Sequence, residues 1–232
     1  MNTQAIKFLT GLLLDWPTGP IQKSDLEACR RLKFEIAIRD TKWEQFIYVS
    51  ETPLRGEDVL GASPPFNYPV LCRRSGSRLL LLSVGRPVVE HILKDELDPV
   101  LGPGLRRVSI AVDSLVKKIA VRPTSYVLSF VHARVPAFGA SLRSVSFYGD
   151  DLAEASIFRE QMNFLVFFIC GLRQATGGGE IVRLAGDGGV SFLLTDPPEE
   201  KVREVEEVLK FLRKYDYLES HIWEDERLHT GE

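Results

Sequence analysis

Residues 68–84 read YPVLCRRSGSRLLLLSV. Ser75-Gly76-Ser77 has turn composition, and short apolar runs flank it, which is the pattern of a β-hairpin. The leucines at 79–82 are apolar on both faces, so their strand is expected inside a sheet with both sides covered.

Working upstream, Phe34, Ile36 and Ile38 alternate with Glu35, Ala37 and Arg39, and Phe46, Ile47, Tyr48 and Val49 follow the polar DTKW. That spacing predicts another hairpin. The proline-rich span 51–69 reads as a long loop. Residues 3–14 read as a helix, with Ile6, Leu9 and Leu13 beside Phe8 and Leu12. Ser24 and Glu27 have capping-box spacing, which predicts a helix of two to three turns.

Downstream, Gly85-Arg86-Pro87 opens a helix that should reach about Leu97. Residues 105–121 read as strand then helix, with Asp113 a candidate cap. Tyr126, Leu128 and Phe130 share one face of a strand, which His132 and Arg134 extend. Gly139 turns the chain. Ser144, Ser146 and Tyr148 then alternate with Val145 and Phe147. Residues 152–173 read as one long helix closed by the glycines at 177–179. Strands at 181–185 and 190–194 flank a GDGG turn. Asp196-Pro197-Pro198-Glu199-Glu200 starts a final helix, with a buried stripe at Val202, Val205, Leu209, Leu212 and Tyr215.

Hairpins pair locally, and amphipathic helices must cover them. The expected class is α+β: mainly antiparallel sheet with helices packed on one face, in two halves of similar rhythm. The halves divide as 1–122, with N-terminal helices, two hairpins and a helix, and 123–219, a ββαββα half. An acidic, poorly ordered tail at 220–232 follows.

The 232 residues carry a formal net charge of −3, and the sequence pI is about 5.9. A chain of that balance is a poor general binder of nucleic acid. Charge is uneven, however: residues 101–150 hold seven bases against two acids, and residues 196–232 hold twelve acids against six bases. Such asymmetry can steer a partner. Cys29, Cys72 and Cys170 lack redox or metal-ligand spacing, which fits buried thiols in a reducing, cytoplasmic setting. The most apolar run, FLVFFIC at 164–170, is far short of the ~20 residues that cross a bilayer.

Tyr148-Gly149-Asp150-Asp151 spells the metal-binding turn of RNA-directed polymerases. Helix-forming residues follow it here, so an aspartate at 150 or 151 is expected to cap a helix. No metal and no cofactor is expected. GGGEIVRLAGDGG at 177–189 leaves a helix or joins two strands, the wrong order for a phosphate cradle. No G-x-S-x-G, H-E-x-x-H or C-x-x-C occurs. His91, inside a helix, reads as a structural histidine.

The best reading is a non-catalytic interaction or regulatory module, one subunit of a larger assembly or a homo-oligomer. A second reading places a small-ligand or enzyme site at the end of the 126–148 hairpin, with His132, Arg134, Tyr148 and Asp150 binding an anion. A third places nucleic acid on a basic patch of Arg73, Arg74, Arg78, Arg106 and Arg107, with base stacking on nearby rings.

Overall fold

A computed structural model of the chain describes residues 7–38, 41–54, 64–102, 104–122, 124–136, 143–177, 181–194 and 198–214. Among them are eleven strands, mainly antiparallel, and six α-helices, an α+β fold. No helix among the described residues is long and apolar enough to cross a membrane. The chain divides into two compact units. One takes in the described residues up to 108 and from 194 to 203, and the other those from 109 to 193 and from 204 to 214. The tail at 220–232, Gly139, Tyr215 and Asp196 lie outside the described residues.

In the first unit, β1 is Lys7–Asp15, β2 Leu32–Ala37, β3 Trp43–Ser50, β4 Phe66–Ser75, β5 Arg78–Ser83 and β6 Arg106–Arg107. The strand order is β2-β3-β4-β5-β1, with β6 also on β1. Both predicted hairpins form, and the leucines of β5 are buried between β4 and β1. The helices α1 (Lys23–Glu27), α2 (Arg86–Ile92) and α3 (Asp98–Leu101) cover one face. Leu26, Val88, Val89 and Ile92 pack there with Leu12, Phe46, Val70 and Leu81.

The predicted N-terminal helix is a strand. Leu9, Leu12, Leu13 and Leu14 are all buried. A run buried on both sides of a sheet satisfies helical spacing as readily as strand spacing, so periodicity does not separate the two. Gly11 stands opposite Leu82. A methyl group placed on it would meet the Leu81 carbonyl oxygen at 2.2 Å and Leu82 Cδ2 at 2.3 Å. The strands approach too closely there for any side chain.

Three smaller corrections follow in this unit. α1 is only five residues long, and its start is made by Asp25 rather than Ser24: the Gln22 N–H donates to Asp25 Oδ2 at 2.7 Å. The expected loop 51–69 ends early, because β4 starts at Phe66. The helix from Arg86 passes Leu97 through a π turn (Leu93–Leu97) into α3, ending at Gly102 with φ +82°.

In the second unit, α4 is Val112–Val121, β7 Tyr126–Arg134, β8 Ser144–Tyr148, α5 Ser156–Gln161, β9 Val166–Gln174, β10 Val182–Ala185 and β11 Gly189–Leu194; α6 is Pro198–Lys214, of which the residues from 204 belong to this unit. Its strands run in the order β11-β10-β9-β7-β8. The expected long helix at 152–173 does not exist. One 3-10 turn, the short α5 and a second 3-10 turn lead into β9, which lies between β10 and β7. The run FLVFFIC thus enters an interior strand, whose two-sided burial gives the same continuous apolar pattern as a core helix. The half is therefore ββ, a short helix, βββ and α6. Asp113 does not cap α4: its Oδ1 accepts the Phe167 N–H at 3.1 Å and its Oδ2 pairs with Lys117 at 2.8 Å.

One face of this sheet is packed. Phe158 of α5 lies against Phe147 and Phe167, with ring centroids 5.5 and 5.7 Å away. Leu128, Val131, Ala133, Cys170, Leu172 and Leu184 are fully buried. In α6, Val202, Val205, Leu209 and Leu212 are buried as their spacing predicts, and Phe211 packs on Tyr126 at 4.6 Å.

Candidate functional site on the outer face of the second unit's strands

The outer face is shaped by two irregularities in the pairing of β7 with β9. The register shifts between Leu128 and Phe130 and again between His132 and Ala133. An extra residue in one strand reverses which side chains face inward. Tyr126 and Leu128 point to the core, but further along Val131 and Ala133 do. Phe130, His132 and Arg134 therefore take the face opposite Tyr126 and Leu128, not the shared face that simple alternation predicts.

Three cross-strand rows follow from the register. The first is Ser191, Arg183, Gly171, Phe130 and Tyr148, spanning β11, β10, β9, β7 and β8. The second is Ala185, Ile169, His132 and Ser146. The third is Val166, Arg134 and Ser144. No position in these rows holds an aspartate or glutamate.

In the first row Gly171 offers no side chain, so the Arg183 guanidinium reaches across to the Phe130 ring, 4.8 Å from its centroid. Tyr148 lies on the other neighbour of β7, 4.8 Å from the same ring, and is itself 71% exposed. In the second row His132 Nδ1 and Ser146 Oγ share a hydrogen bond of 2.7 Å. The register shift between His132 and Ala133 leaves Phe168 without a partner in β7. The His132 ring meets the Phe168 ring edge-on at 4.5 Å, and the Arg134 guanidinium lies 5.9 Å from the centre of that ring.

His132, Arg134 and Tyr148 thus share the outer face, joined through Phe130, Phe168 and Ser146. Asp150 stands outside the three rows: it follows the end of β8, where its backbone carbonyl accepts a hydrogen bond from Arg173 Nε. Asp151 caps, accepting the Ala153 N–H at 3.0 Å to start the 3-10 turn at Leu152–Glu154. Among the described residues no three His, Cys, Asp or Glu side chains gather as a metal site. A cleft of about 590 Å³ lies elsewhere in this unit, lined by Tyr126, Gln174, Glu207, Lys210 and Lys214.

The five arginines of the N-terminal patch do not form an exposed surface together. Arg73 and Arg78 are buried, at 4% and 8% exposure. Arg74 is taken up by Glu44 through two 2.9 Å contacts, from Nε to Oε2 and from Nη2 to Oε1. Arg107 bonds Glu90, and Arg106 is exposed on the two-residue β6.

A second polar cluster surrounds the π turn of the first unit. His91 Nδ1 lies 2.7 Å from Asp95 Oδ2 and 3.1 Å from the Tyr48 hydroxyl. The buried Glu96 carboxylate accepts the Arg31 N–H at 3.1 Å. Burial pushes the Tyr48 phenol above its usual pKa, against a bond from Arg31 that lowers it. Burial, with Glu96 and Asp25 nearby, pushes the Cys29 thiol up to about 12. Cys72 is also raised, chiefly by burial. These thiols are protonated at neutral pH and make poor nucleophiles. His91 therefore links β3 to the π turn; its four-residue spacing from Asp95 was the visible signal for that contact.

Phe168, Gly171 and Arg183 belong to the outer face but were not singled out from sequence. The first two fell inside the segment read as helix, and Arg183 inside a short strand with no distinguishing motif. No protein-family model matches the chain, and no curated protein matches it significantly.

Proposed function

We propose that the chain is a non-catalytic binding module that holds an anionic, ring-bearing partner on the outer face of β7–β10. The observation that carries this reading is the first cross-strand row. It sets an arginine, a glycine gap and two tilted rings in contact side by side, with no carboxylate in the row. Guanidinium groups recognise oxyanions through several hydrogen bonds and also stack on planar groups. Tyrosine supplies a broad contact area at low conformational cost. Burial raises the thiols of Cys29 and Cys72, which makes them poor nucleophiles. Three buried cysteines, none of them in a disulfide, fit a reducing, cytoplasmic setting.

Calorimetric titration tests the reading, using a probe pair of a single-stranded oligonucleotide and an acidic peptide rich in tyrosine. Binding of either by the native chain, abolished by Arg134→Glu with Arg183→Glu, is the expected result. Equal binding by the double variant overturns it, as does no binding of either probe at low salt.

A further inference from the structure

We infer that the partner is single-stranded nucleic acid, its bases stacking on Tyr148 and Phe168 and its phosphates pairing with arginines distributed across the sheet. The inference rests on the binding-module reading above and narrows its ligand. Four features of the outer face favour a polynucleotide over an acidic peptide.

First, the cations are spread rather than focused. Arg183 is on β10 and Arg134 on β7. Neighbouring strands lie about 4.8 Å apart. The span from β10 to β7 is two such steps, about 10 Å, a length suited to a repeating backbone charge and too long for one carboxylate.

Second, the rings alternate with the cations. Tyr148 is mostly exposed, and Phe168 is half-buried beside Arg134 and His132. Base stacking on aromatic side chains with flanking positive charge is the general mode of single-strand capture. Single strands present unpaired bases to such rings, whereas a duplex hides them in its own stack.

Third, the hydroxyls of Ser144, Ser146 and Ser191 lie in the same rows. A hydroxyl donates and accepts, so it can meet any base edge. Two of these serines are exposed.

Fourth, the outward row positions carry no acid. The net charge of −3 belongs to the chain as a whole, with twelve of its acids in residues 196–232. Local sign at the contact face governs phosphate binding, since it determines how many counterions are released.

Fluorescence anisotropy with labelled 12-nucleotide single strands of DNA and RNA, and with the matching 12-base-pair duplex, tests the inference. The acidic tyrosine-rich peptide serves as the comparison probe. The native chain should bind the single strands more tightly than the duplex. The logarithm of affinity should fall with the logarithm of salt at a slope of about −1.4, for two phosphate contacts. Tyr148→Ala should weaken binding about 5- to 150-fold, the range for losing one stacked base, and Tyr148→Phe should restore it. The exposure of Tyr148 keeps the fold of both variants intact, which a melting curve verifies. Duplex binding as tight as single-strand binding overturns the inference, as does single-strand affinity indifferent to Tyr148→Ala. If the peptide binds on Arg134 and Arg183 while the oligonucleotides do not, the inference fails and the broader module reading stands. If neither probe binds, both fail.

Discussion

Arg183 of β10 lies over the ring of Phe130 on β7, although a whole strand runs between them: both residues are in register with Gly171 of β9. The contact exists because the intervening residue has no side chain. Gly171→Val would place a branched group in the gap and displace the guanidinium. Arg183→Ala should cost about 0.5–1 kcal/mol, the range for an exposed cation–π pair, and Gly171→Val at least as much. Urea unfolding of both variants checks this, and the two effects should not add, because each removes the same contact.

Gly11 has no room for a methyl group against the β5 backbone. Gly11→Ala should destabilise the chain by about 1–3 kcal/mol, the usual cost of overpacking. A lower urea midpoint with an unchanged slope is the expected observation.

Glu44 and Arg74 form a two-pronged pair, with side chains 11% and 24% exposed. Partial burial and paired geometry set it apart from a loose surface contact. A double-mutant cycle of Glu44→Gln and Arg74→Met should give a coupling of about 0.5–3 kcal/mol.

Asp151 caps a turn and Asp150 does not. Asp151→Ala should cost about 0.5–2 kcal/mol, while Asp151→Asn retains most of that stability. Asp150→Ala should stay within about 0.5 kcal/mol of the native chain. Thermal melting in the presence and absence of Mn²⁺ should give the same midpoint, because the Asp151 carboxylate holds the Ala153 N–H and Asp150 makes its contact through its backbone carbonyl.

The Cys29 thiol is raised from 9.0 to about 12 in the folded chain, chiefly by burial. Once unfolded it ionises near its ordinary value. Between those values the unfolded state holds fewer protons than the folded one, so stability is complete below about pH 9 and falls as pH rises toward 12. The limiting slope is about 1.4 kcal/mol per pH unit for each such group. Tyr48 and Tyr126, also raised mainly by burial, act in the same direction. Cys29→Ala should flatten the decline measured by denaturation between pH 9 and 11.

Alternation and turn chemistry made several elements legible in the sequence. The hairpins β2–β3, β4–β5 and β10–β11, and the stripe of α6, all carry one buried side or a clear turn. The errors fell on β1 and β9, the segments whose leucines and phenylalanines are buried on both sides of a sheet. There the apolar pattern is continuous, and helix and strand leave the same trace. The site was half legible for a related reason. His132, Arg134 and Tyr148 alternate visibly toward one face, but Phe168 and Gly171 sit on the misread β9. The register shifts that turn Phe130 away from Leu128 leave no mark in residue type. Arg73 and Arg78 resemble an exposed basic turn until burial and the Glu44 pairing of their neighbour Arg74 are known.

Amide chemical-shift mapping of the isotopically labelled chain, titrated with a single-stranded 12-nucleotide probe, tests the binding face most directly. Perturbations should cluster at Arg134, Ser146, Tyr148, Phe168 and Arg183, and β2–β5 should stay silent. Perturbations confined to residues 73–107, or scattered without preference for β7–β10, would contradict the account.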